Sequence, residues 1–254
     1  MPMSNEELAK LAGEEHYLRA PRMNYPTIRM NGKVGKFFRN VAPTEKDGKY
    51  TKEDLGVLFR GVILRVRRRL VDFSGGYQTN EHDSSKQNVI LFQKGKKVDS
   101  GDYVHMREKY QKLKTEQVLY VLVGKDVFKL IVAGSSLMRG DSKPAESIPF
   151  YEYLGSFDKA KDEHVFQYYT DFTPVEETGK LGAYYSVSFV RGDKLSDAEM
   201  DIVAEKLKVL ATQIQSNDTS VHEDKKESVE QPDAEDELPT IQVEDGITVE
   251  DIPF

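Results

Sequence analysis

The sequence predicts a mainly β body, a small β-barrel with elaborated loops, followed by one C-terminal helix and a disordered acidic tail. Three observations carry this. Several apolar runs are rich in β-branched and aromatic residues and are bounded by Gly, Asn, Asp or Ser. Only one long segment, 195–215, has clear helical spacing of its apolar residues. Beyond Gln215 the chain is Asp, Glu, Ser, Gln, Thr and Pro, with too little apolar area to join a core.

Taken in order, Ser4 and Glu7 have capping-box spacing ahead of a short helix ending near Gly13. Residues 20–54, rich in Pro, Gly, Asn and Lys, read as extended segments and loops, with a short strand near Lys36–Val41. GVLFRGVILRVRRRLVDF, residues 56–73, reads as one long strand. SGGYQTNEHDSSKQ follows as a loop broken by Gly75-Gly76. NVILFQ is a second strand, ended by KGKK. Residues 104–117 fit either a helix, through Met106, Tyr110 and Leu113, or an extended basic strand. VLYVLV and VFKLIVAG around Gly124-Lys125-Asp126 make the clearest hairpin. Residues 135–163 read as a loop holding a short element at Phe150–Leu154. A second hairpin joins 164–177 to 181–192 across Thr178–Lys180. Ser196 and Glu199 then cap the helix, with Met200, Val203, Leu207, Leu210, Ala211 and Ile214 along one face. Residues 1–215 therefore form one body, OB-fold-like with insertions, although the pattern also admits a β-sandwich. Residues 216–254 form the tail.

Composition removes whole classes of chemistry. There is no Cys, so disulfides, Cys-ligated zinc, iron–sulfur clusters and thiol catalysis are excluded. His16, His82, His105, His164 and His222 are scattered without metal-ligand spacing. Gly124-Lys125-Asp126 lacks the upstream glycine and following Ser/Thr of a phosphate-binding loop. No apolar run reaches the length of a membrane span, and the first residues lack a basic start followed by an apolar stretch. The expectation is a cytoplasmic protein with no enzymatic activity, no cofactor, no metal and no membrane contact, and with homo-oligomerisation left open.

Charge is placed unevenly along the chain. The net is −7, but residues 217–254 hold only Lys225 and Lys226 against thirteen acids, a net of −11. Residues 1–140 hold 26 basic and 16 acidic side chains, a net of +10, and residues 141–216 a net of −6. A basic first part ahead of an acidic tail suits a polyanion ligand, and equally a solvated surface with a solubilising tail.

Binding a single strand without sequence preference needs cations for phosphates and flat rings for bases. The body offers both. Alternation puts Arg65, Arg67 and Arg69 on one face of the long strand and Leu64, Val66 and Leu70 on the other. Same-face neighbours lie roughly 6.8 Å apart, comparable to an extended phosphate backbone. The plainer reading is an edge strand protected by charge. Lys33, Lys36 and Arg39 interleave with Phe37 and Phe38, one ring expected in the core and the other free to stack. Lys94, Lys96 and Lys97 lie near Phe92 and Tyr103. Arg107, Lys109, Lys112 and Lys114 surround Tyr110, where a solvated helix face is the favoured reading. Tyr168, Tyr169, Tyr184 and Tyr185 add rings in an acidic neighbourhood.

The last residues are Glu250-Asp251-Ile252-Pro253-Phe254. An aromatic here contributes to no core. It fits a linear motif in which Ile252 and Phe254 fill an apolar pocket, Pro253 limits unbound conformations, and the terminal carboxylate meets a base. This ending resembles that of bacterial and phage single-stranded-DNA-binding (SSB) proteins, which close an acidic tail with Asp-Ile-Pro-Phe. The resemblance implies an OB-fold body that binds single-stranded DNA, of a divergent phage or plasmid type. It also implies a tail that recruits DNA replication, recombination and repair enzymes. Two rivals stay open: an accessory protein that carries the motif without binding DNA, and a tail-bearing nuclease or annealing enzyme.

Overall fold

The computed structural model describes residues 25–41, 51–83, 87–140, 144–179 and 182–223. The short helix expected near the start and the terminal motif lie outside them. Three short strands come first: β1 (Thr27–Asn31), β2 (Lys36–Val41) and β3 (Thr51–Gly56). The long β4 (Phe59–Asp72) leads to β5 (Tyr77–Thr79), β6 (Val89–Gln93) and β7 (Lys96–Gly101). Then come α1 (Tyr103–Lys109), β8 (Lys114–Val123), β9 (Asp126–Ala133) and α2 (Phe150–Gly155). The hairpin β10 (Tyr168–Gly179) and β11 (Gly182–Lys194) precedes α3 (Asp197–Glu223).

The mainly β body and the C-terminal helix agree with the sequence. The strand order is β3-β2-β1-β9-β8-β4-β5-β6-β7, and β10–β11 joins sideways at the start of β4. β3 and β7 end this path without pairing to each other, so the described sheet does not close into a barrel. Every pair is antiparallel except β1 with β9. β1, β3, β5 and β7 escape sequence reading because each is short and largely polar. The ambiguous stretch 104–117 divides between α1 and the start of β8.

β8 and β9 are apolar on both faces because both faces are covered. On the first face, Ile63, Leu119, Val121, Phe128 and Leu130 pack with Phe150, Phe172 and Phe189 from α2 and the β10–β11 hairpin. Phe59 and Phe172 stack there at 4.4 Å. Toward β5–β7 this face continues as Leu70 and Leu91 with Met106 of α1. On the second face, Val62, Leu64, Val118, Tyr120 and Leu122 pack beneath Val203, Leu210 and Ile214 of α3. The helical stripe is therefore core contact except at Ala211, which is exposed. α3 continues to Glu223, past Gln215, with no Gly or Pro in 216–223 to stop it.

The register of β4 slips between Ile63 and Arg65. This bulge is why Leu64 packs with the second-face cluster and not with Val66, which packs against the first. The outer edge of β11 is covered: the Tyr185 amide donates to the Gly32 carbonyl at 2.8 Å and the Phe189 amide to that of Ile148 at 2.9 Å. Gly35 sits at φ +62, where an added Cβ would lie 2.7 Å from the Tyr185 ring.

Candidate nucleic-acid interface

Directly paired residues in neighbouring strands project from the same face of a sheet. On the second face, Phe38 of β2 pairs with Arg29 of β1, and Thr27 with Lys129 of β9. Lys129 pairs with Tyr120 of β8, and Tyr120 with Arg65 of β4. Arg67 and Arg69 follow two and four residues on, opposite Val118 and Glu116. Val71 leads through Gln78 to Phe92, and Phe92 to Lys97. Lys36, Phe38, Arg65, Arg67, Arg69, Phe92 and Lys97, picked from three separate segments, thus share one face by register.

The middle of this face is closed. α3 covers one part of it, and Glu81 and Asp83 reach over another. Glu81 accepts from Lys129 Nζ at 2.7 Å and from the Tyr120 hydroxyl. Asp83 meets Arg65 at 2.9 Å and Arg67 Nε at 3.4 Å. Arg67 also donates to the Glu81 carbonyl at 2.8 Å and is 2% exposed. Arg69 pairs with the buried Glu116 at 2.7 Å. Cations on an interior strand must be compensated, because desolvating an unpaired charge costs several kcal/mol. The expected row of free arginines is thus a set of ion pairs. His82, fully buried between the two acids, exchanges backbone hydrogen bonds of 2.9 Å with Arg68. Its imidazole is pushed down to about 4, chiefly by burial and also by Arg68 and Arg67. Burial, then Glu81, raises the Tyr120 phenol.

The two flanks are open. On the β1–β3 flank, Lys52 Nζ lies 5.0 Å over the half-buried Phe38 ring. Lys36 pairs with Asp54 at 2.9 Å, both exposed. Arg29 is exposed and makes no hydrogen bond or ion pair with the described residues. On the β6–β7 flank, Phe92 is half-buried and Lys94, Lys96 and Lys97 are exposed. These three lysines likewise make no ion pair with the described residues.

Several expected contacts lie elsewhere. Phe37 is a core ring, 0% exposed, because it points to the first face. Arg39 shares that face, bonded to Glu53 at 2.5 Å and 5.4 Å over Phe128. Tyr103 opens α1 on the first-face side and exchanges a hydrogen bond of 2.8 Å with Thr115. Lys33 is exposed in the β1–β2 turn. The α1 cations are largely engaged: Asp99 takes Lys109 at 2.8 Å and Tyr110 at 3.0 Å. The Lys109 hydrogen bond is the main cause that holds the Asp99 carboxyl near 2. The paired tyrosines are also tied down, Tyr169 to Glu199 and Tyr184 to Glu177, both at 2.7 Å. Glu250, Asp251, Ile252, Pro253 and Phe254 lie outside the described residues.

Sequence reading missed Arg29, Lys52 and Lys129 on the second face. The signal for Arg29 was present: in TIRMN, Thr27, Arg29 and Asn31 alternate with Ile28 and Met30.

No protein-family profile, curated protein or solved structure matches the chain. The site is therefore defined by its own chemistry. Among the described residues, no group of three or more His, Asp or Glu could hold a metal ion. No described helix is long and apolar enough to cross a membrane.

Proposed function

We propose that the body binds single-stranded DNA without sequence preference and that the acidic tail recruits DNA replication, recombination or repair enzymes through Glu250–Phe254. The observation that carries the DNA half is the shared face. Its two open flanks combine rings, Phe38 and Phe92, with exposed cations, Arg29, Lys36, Lys52 and Lys97. Rings accept any unpaired base, and cations track the backbone. The tail half rests on the motif resemblance. The role of the protein is stoichiometric: it protects a strand, removes hairpins and concentrates enzymes on it.

Fluorescence-anisotropy titration with oligo(dT) and with duplex, at two salt concentrations, tests the body. Tighter single-strand binding that weakens steeply with salt is expected. Equal affinity for duplex would sink the proposal. Phe254→Ala should leave oligo(dT) binding unchanged and abolish pull-down of a replication or repair enzyme. A second reading, an accessory protein that binds no DNA, is favoured by the pairing of Arg65, Arg67 and Arg69 with carboxylates. A body that ignores oligonucleotides selects it.

A further inference from the structure

Phe73, in the turn between β4 and β5, is 75% exposed, the most of any large apolar side chain among the described residues. The turn beneath it is held by Asp72, whose Oδ1 accepts from the Ser74 amide at 3.0 Å and the Gly75 amide at 3.2 Å. Gly76, at φ +68, donates back to the Phe73 carbonyl at 3.4 Å. The turn is also tied to the β6–β7 turn. The Lys94 amide donates to the Gly76 carbonyl at 3.1 Å, and Gln93 Nε2 to that of Gly75 at 3.2 Å. The aliphatic stem of Lys94 lies directly above Gly76. An exposed ring on a braced turn is thus set beside a turn that carries Lys94, with Lys96 and Lys97 opening the next strand.

We propose that Phe73 and Lys94 form a stacking subsite for an unpaired nucleotide base, with Lys96 and Lys97 taking the adjoining phosphates. The subsite rests on the single-strand reading of the body and extends its β6–β7 flank. An anionic membrane surface would also attract a ring among lysines. The rest of the turn, Ser74-Gly75-Gly76, offers no second apolar group to insert, whereas one braced ring is sufficient for one base.

The chain contains no Trp, so F73W introduces a single indole reporter. The full chain carrying F73W is titrated with labelled oligo(dT) while anisotropy and indole emission are read together. Indole quenching with the same midpoint as the anisotropy rise is expected. F73A should bind oligo(dT) about 5- to 150-fold more weakly, the range expected for one stacked base, with an unchanged thermal melt. An anisotropy rise without quenching, together with unchanged F73A affinity, overturns the subsite and leaves the DNA-binding reading intact. No anisotropy rise with wild type overturns that reading and the subsite with it. An indole blue shift on phosphatidylglycerol vesicles, without any response to oligo(dT), assigns the turn to a membrane surface and overturns the subsite.

Discussion

Arg65, Arg67 and Arg69 on β4 and Lys94, Lys96 and Lys97 around the β6–β7 turn are both short runs dense in cations. Their environments differ sharply. The arginines lie mid-sheet, where Asp83, the Glu81 carbonyl and Glu116 compensate them. The lysines lie at the sheet's far end, exposed to water. The contrast teaches that cation density marks a candidate polyanion site only where the fold leaves the charge uncompensated. Arginine suits the interior role because its planar fork can satisfy two acceptors at once.

The largest effect expected from this contrast is on stability. Arg69→Ala leaves Glu116 buried without its partner, and chemical denaturation should show a loss of about 3–5 kcal/mol. If the loss is under about 1 kcal/mol, the pair is a weak surface bridge and the contrast fails.

Next comes pH. His82 is held near 4 in the folded protein against 6.5 ordinarily, so the unfolded chain takes up a proton first as pH falls. Its contribution to stability is complete above pH 6.5 and declines toward pH 4. Thermal melts between about pH 7.5 and 5 should show this decline, and His82→Gln should flatten it. At the lysine end, the depressed Asp99 carboxyl keeps its contribution until pH falls below the ordinary 3.8 toward 2. A His82→Gln melt that still falls as steeply between about pH 7.5 and 5 would place the sensitive group elsewhere.

The combined substitution of Lys94, Lys96 and Lys97 by Ala should change stability by less than about 0.5 kcal/mol. It should reduce the salt slope of oligo(dT) binding by about 1.4, at roughly 0.7 for each of the two phosphate contacts of Lys96 and Lys97. An unchanged slope in a folded variant would remove these lysines from the interface. The smallest effect concerns the tail. Ending the chain at Glu223 should raise oligo(dT) affinity modestly at low salt and hardly at all at high salt. The gain should shrink in the triple-lysine variant, because the tail's acids compete for uncompensated cations. An equal gain in both backgrounds would point to competition at the β1–β3 flank.

Local rules are enough to place much of this protein. β4, the β8–β9 and β10–β11 hairpins and α3 follow from alternation, turn residues and a 3.6-residue stripe, all of which act over a few neighbours. The absence of Cys and the charge asymmetry are likewise properties of the chain itself. Alternation even announces that one of Phe37 and Phe38 turns inward. It does not say which, because that depends on the face that β10, β11 and α2 cover.

Tertiary structure decides the rest. Arg69 meets Glu116 across 47 residues of chain, and Lys129 meets Glu81 across 48. No local pattern encodes such partners, since sheet register and strand order bring them together. The same register unites Arg29, Phe38, Phe92 and Lys97 on one face. Whether a charge remains available to a ligand is settled only when distant strands pair, because compensation depends on distance in space and not on distance along the chain.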